Sequence, residues 1–99
     1  MARFDLYADP GGNGYLLDVQ ADLLGSLNTR VVVPVIPRAK APPPARELNP
    51  VFNIRSEQHV MVTQFLSAVP ILHLAEPVAN LLAHDTEITN ALDMLLNGI

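Results

Sequence analysis

Ninety-nine residues without a cysteine leave room for one core and exclude disulfides and thiolate chemistry, so the chain suits a reducing compartment such as the cytoplasm. Charged residues make up 16% of it and apolar ones 49%, where an ordinary domain is about 25% charged; with a net charge of −4 and its six basic residues scattered, with only a loose cluster between positions 30 and 55, direct nucleic-acid binding is disfavoured. A domain this small with so few charges is expected to hide apolar surface against another chain, and a homodimer is the commonest way to do so.

In chain order, residues 3–8 read as a first strand. Asp9-Pro10-Gly11-Gly12-Asn13-Gly14 follows as a dense turn signal, and Tyr15 to Gln20 reads as a second strand, so the two predict a hairpin with a mobile Gly-rich tip. Residues 30–36, Arg-Val-Val-Val-Pro-Val-Ile, are apolar on both faces, as near the centre of a sheet. Pro34 cannot donate to a ladder, which demands an edge or a bulge at that point. Prolines 37, 42, 43, 44 and 50 mark an extended surface loop over residues 37–50. Short strands are expected at Val51–Ile54, His59–Phe65 and Pro70–Leu74, and Glu76-Pro77 reads as the opening of a short helix.

The last element has the clearest pattern. Asp85 or Thr86 is placed to cap a helix, and Glu87 adds negative charge at its positive end. Ile88, Ala91, Leu92 and Leu95 fall at the core-facing spacing, and Gly98 stands where a left-handed cap belongs. Met94 and Leu96 flank that stripe on opposite sides, so the apolar arc covers roughly 200° at about 100° per residue. One edge of this helix is expected to face a second chain. The whole reads as one mainly-β domain over residues 1–99 with a C-terminal helix.

The N-terminus carries Asp5 where a signal peptide is uniformly apolar. The greasiest stretch, Leu66 to Ala83, contains Pro70, His73, Glu76, Pro77 and Asn80, so no membrane partner is expected. Catalytic signatures are sparse. His59, His73 and His84 lack metal-ligand spacing, so neither metal nor cofactor is expected. Asp18 and Asp22 stand four apart at a strand end, which does not bring them to one face, and Ser26, Ser56 and Ser67 lack a nucleophile-elbow context. Gly11-Gly12-Asn13-Gly14 lacks the Lys-Ser/Thr ending of a phosphate loop. No residue pattern calls for an enzyme.

Several segments, taken in order, resemble one known family. They are Leu17-Asp18-Val19-Gln20-Ala21-Asp22-Leu23-Leu24, Arg30-Val31-Val32-Val33-Pro34, Arg46-Glu47-Leu48-Asn49-Pro50-Val51, Ala68-Val69-Pro70, and the stretch from Asn90 to Gly98-Ile99. Together they are similar to the CcdB family of toxins over nearly the whole chain. That resemblance implies an SH3-like twisted antiparallel sheet, or partial barrel, with a long C-terminal helix, dimerised about a two-fold axis. It implies a poison of the DNA gyrase A subunit that traps the cleaved-DNA complex and is neutralised by a CcdA-type antitoxin within an autoregulated operon. The gyrase-binding surface maps by resemblance to Leu23, Leu24, Gly98 and Ile99, with Asn97 beside them. Antitoxin binding is assigned to the 9–14 tip and the Pro-rich loop, with Asp9, Gly12, Asn13, Lys40, Pro43 and Arg46 as contacts, because a disordered partner gains area by wrapping mobile edges.

At position 97 the well-studied gyrase poisons of the family carry tryptophan, and an aromatic also stands where this chain has Leu96. A central aromatic hot spot costs about 2–4 kcal/mol when truncated, or roughly 30- to 1,000-fold in affinity. A second reading is therefore a toxin-like module that binds an antitoxin without poisoning gyrase, with Asn97 serving as a helix-end residue. A third is an endoribonuclease of the MazF family, which shares this barrel. The sparse basic residues argue against that third reading.

Overall fold

The computed structural model describes residues 1–98. Seven strands, β1 (Asp5–Ala8), β2 (Tyr15–Asp18), β3 (Thr29–Pro37), β4 (Val51–Ile54), β5 (Glu57–Met61), β6 (Ser67–Pro70) and β7 (Ala79–Asn80), precede one α-helix, α1 (Asp85–Asn97). The strands join into one antiparallel sheet in the order β4-β5-β3-β2-β1-β7, with β6 also on β3, and the sheet curls into a half-barrel. This is the mainly-β fold with a C-terminal helix that the sequence predicts.

The register sorts side chains onto two faces. Leu6 pairs with Leu17 and Leu17 with Val33, and these residues with Phe52 and Met61 form the main core beneath α1. The helix contributes Ile88, Ala91 and Leu92 to it. Residues one step along each strand point the other way. There Tyr7 and Val32 pack with Leu74, which the segment after β6 folds down over them.

Pro34 sits in the middle of the central strand, where its missing donor ought to break a ladder. One flank of β3 pairs with β2 without interruption, Leu16 lying opposite Pro34. The other flank changes partner there: β6 serves Thr29 to Val32 and β5 serves Val35 to Pro37. The Pro34 carbonyl accepts from Val62 N at 2.9 Å on that second flank, so its nitrogen faces the gap between β6 and β5. The expected interruption is this change of partner.

Several boundaries differ from expectation. β1 starts two residues late because Phe4, at φ 71°, turns the chain before the ladder begins. β2 stops at Asp18, and beyond it the Gln20 side chain takes the place of a backbone acceptor, its Oε1 receiving Val31 N at 3.1 Å. β5 spans residues 57–61, since Arg55 and Ser56, both at positive φ, make a two-residue hairpin turn and residues 63–65 form a 3₁₀ turn. β6 ends at Pro70, and Ile71–His73 forms another 3₁₀ turn. No helix opens at Glu76-Pro77: the outer edge of β1 recruits that stretch instead, with Val78 N on Leu6 O at 2.8 Å and Leu81 N on Phe4 O at 2.9 Å.

Neither Asp85 nor Thr86 caps α1. A 3₁₀ turn at Leu82–His84 runs straight into the helix, so the cap position falls on His84, whose Nδ1 lies 3.3 Å from Glu87 Oε1. The C-terminal cap is as expected: Gly98 is left-handed at φ 70° and donates to Met94 O at 3.0 Å. Leu95 and Met94 are only half-buried and Leu96 is 67% exposed, so the apolar arc is wider than the core contact.

Candidate functional site

The segment joining β2 to β3 carries the candidate site, and a buried polar ring fixes its shape. Asp18 lies opposite Val32 in the register, which puts Arg30 diagonally across from it on the face of Tyr7. Both side chains are fully buried, and Arg30 Nε donates to Asp18 Oδ2 at 2.7 Å. The second carboxylate oxygen accepts Gln20 N at 3.0 Å, and Arg30 Nη2 reaches Gln20 O at 3.5 Å. The Gln20 amide then bridges outward: its Oε1 holds Val31 N, and its Nε2 donates to Leu24 O at 3.1 Å. Asp22 Oδ1 receives Arg3 N at 2.7 Å and ties the segment to the N-terminus.

The consequence is a rigid knuckle. Residues 22–24 form one 3₁₀ turn whose carbonyl end is bolted to the sheet, while Leu23 stands 93% exposed and Leu24 47% exposed. A side chain held out by a preformed scaffold loses little further freedom on docking, so its burial contributes more of its apolar transfer free energy to affinity. Asp18, Gln20 and Arg30 escape a reading by local motif because their contacts cross strands. The one local signal is a charged Arg30 opening an otherwise apolar buried strand.

The remaining candidate residues are spread around the molecule. Asn97 and Gly98 are exposed at the end of α1, and Ile99 lies outside the described residues. Besides the core it covers, α1 lies close to the turn at 63–65. Within the tip, Asp9 N donates to Gly14 O, and Asp9 O and Oδ1 accept Gly12 N and Gly11 N, all at 2.9 Å. Asp9 and Gly12 border an open cleft of about 430 Å³ with Tyr15, Arg55, Glu57 and His59. Asn13, Lys40, Pro43 and Arg46 are exposed but line neither that cleft nor the one of about 370 Å³ between the Pro-rich loop and α1, where Glu47, Glu87 and Asp93 gather.

His59 is buried against the Tyr15 ring, centroids 5.2 Å apart, and His84 packs on Phe52 at 4.8 Å, so each has a structural partner. No group of three His, Asp or Glu side chains is placed to hold a metal among the described residues. No helix there is long and apolar enough to cross a membrane. Tyr7 is the unusual polar group on the Asp18 face: its hydroxyl has no hydrogen-bond partner among the described residues. Burial, and then the Asp5 and Asp18 carboxylates, push its pKa up to about 12.

The structure is thus a curled β half-barrel under one terminal helix, with Leu23 and Leu24 held outward on the segment between β2 and β3. The model of the family described as CcdB protein matches residues 3–98. The chain belongs to the CcdB family, whose members are toxins of toxin–antitoxin systems.

Proposed function

We propose that the chain is the toxin of a type II toxin–antitoxin module that binds the DNA gyrase A subunit and traps its cleaved-DNA complex. The pinned knuckle carries this reading: Leu23 is almost wholly exposed above a buried Asp18–Arg30 pair that has no need to be there for packing. The protein works in the cytoplasm as a symmetric dimer of one-domain subunits, so the knuckle and the Asn97-Gly98-Ile99 tail are presented twice. A low charge content and an exposed Leu96 beyond the core contact of α1 support the pairing. A CcdA-type antitoxin relieves the poison by wrapping the Asp9–Asn13 tip and the loop bearing Lys40, Pro43 and Arg46, whose exposed side chains suit an extended partner.

Expression in a gyrase-matched host tests the reading. Wild-type chain arrests growth, Leu23→Asp does not, and co-expressed antitoxin restores growth to the wild type. A second reading rests on Asn97, which occupies the exposed helix end where the family's gyrase poisons carry tryptophan. Under it the chain binds antitoxin tightly while cells expressing it alone grow normally.

A further inference from the structure

We infer that Asn13 is a site of spontaneous covalent change, closing to a succinimide through Gly14 N and opening to aspartate or isoaspartate, while the fold shields the chemically equivalent Asn97. The inference is independent of the gyrase reading. Among the asparagines of the chain only Asn13 and Asn97 precede glycine. That dipeptide is the reactive one, because glycine has no Cβ to crowd the nitrogen that must reach the side-chain carbonyl.

The two pairs sit in opposite surroundings. Asn13 is exposed in the tip between β1 and β2, and its side-chain amide makes no hydrogen bond among the described residues. Asp9 takes the neighbouring donors, Gly12 N on its carbonyl and Gly11 N on Oδ1, both at 2.9 Å. Gly14 gives its carbonyl to Asp9 N, while Gly14 N donates to nothing among the described residues. Gly14 also borders the open cleft of about 430 Å³, so water reaches the peptide from that side. Asn97 is exposed too, but it is the last residue of α1. A helical ψ holds the following nitrogen away from the side-chain carbonyl. Gly98 N moreover donates to Met94 O at 3.0 Å, so the helix end must open before a ring can form there.

The chemistry needs only water. Hydroxide removes the Gly14 amide proton, and the nitrogen attacks Asn13 Cγ. An N–C bond forms, the Cγ–Nδ2 bond breaks, and ammonia leaves with a proton returned by water. A second water then opens the ring, to aspartate if it attacks Cγ and to isoaspartate if it attacks the main-chain carbonyl. No oxidant or reductant takes part. Either product places a new carboxylate in the tip proposed above to meet the antitoxin, and isoaspartate also lengthens the main chain there by a methylene.

The test is peptide mapping by mass spectrometry of the purified full-length chain after incubation in mildly alkaline buffer, once folded and once in urea. Amide-to-acid conversion is read separately at Asn13 and Asn97, with isoaspartate recognised by its shifted elution at equal mass. In the folded chain Asn13 is expected to convert at least roughly ten-fold faster than Asn97, the scale set by one net backbone hydrogen bond that has to open first. In urea the Asn97 rate is expected to rise until the two are similar. Asn13→Ser, which keeps the Asp9 bonds, is expected to remove the acidic species that the folded protein accumulates. Conversion of Asn97 as fast as Asn13 in the folded chain overturns the inference, and so does an Asn13 that stays intact while folded and converts only in urea.

Discussion

Two buried polar groups on one face of the sheet behave oppositely. The Tyr7 hydroxyl is shut away without a partner, and its pKa is pushed up to about 12 first by burial and then by Asp5 and Asp18. A folded-state value above the ordinary 10.0 means the protonated phenol is the stable form inside the fold. Its stabilisation is complete below pH 10 and is lost as pH rises through about 12. Tyr7→Phe removes the orphan hydroxyl, so urea unfolding at neutral pH is expected to show a gain of about 1 kcal/mol. The variant also loses less stability on titration to alkaline pH. The Asp18–Arg30 pair is satisfied at both ends, and Asp18→Asn leaves a buried guanidinium without its counter-charge. That substitution is expected to cost about 3–5 kcal/mol in the same assay and to free the 19–24 segment. Equal urea midpoints for wild type and Asp18→Asn count against the network as the knuckle's anchor.

At the level of elements, glycine conformation separates a close approach from a simple turn. Gly14 has φ 108°, and a Cβ built on it lies 2.5 Å from Val35 O and 3.0 Å from Pro37 Cδ. Gly12 has φ 80° with open space around it. Gly12→Ala is expected to cost about 1 kcal/mol from backbone conformation alone, and Gly14→Ala more, because β3 must also shift. Thermal melts that rank the two variants in the reverse order contradict the packing of the tip on β3. Much of this level is legible in the sequence where the signal is local. The Asp9–Gly14 turn, the break at Pro34 and the Gly98 cap each depend on the local properties of a few adjacent residues, glycine's dihedral freedom or proline's missing donor. The elements that differ are set by distant partners: Ala79-Asn80 has no β pattern of its own and becomes a strand only because β1 offers an open edge. Arg55-Ser56 turns a hairpin without the usual Asn-Gly, held by the pairing of Val51–Ile54 with Glu57–Val60. The candidate site divides the same way. Leu23 and Leu24 follow from resemblance, while the Gln20 bridge to Leu24 and the Asp18–Arg30 pair appear only when the strands are assembled.

For the whole molecule, the proposed function asks a half-barrel to act by contact, through the side chains it holds still. The family match over residues 3–98 makes the chain a toxin-family member, and under the proposed function its apolar knobs reach the target without rearrangement. Under the same proposal Asn97 weakens the effect, since an aromatic hot spot contributes about 2–4 kcal/mol where it is present. The most direct measurement is the yield of cleaved DNA when the purified chain is incubated with matched gyrase, supercoiled DNA and ATP and then quenched with denaturant. Linear DNA is expected to rise with dose for the wild type, to rise further at equal dose for Asn97→Trp, and to stay at background for Leu23→Asp. A background yield from both the wild type and Asn97→Trp contradicts the account.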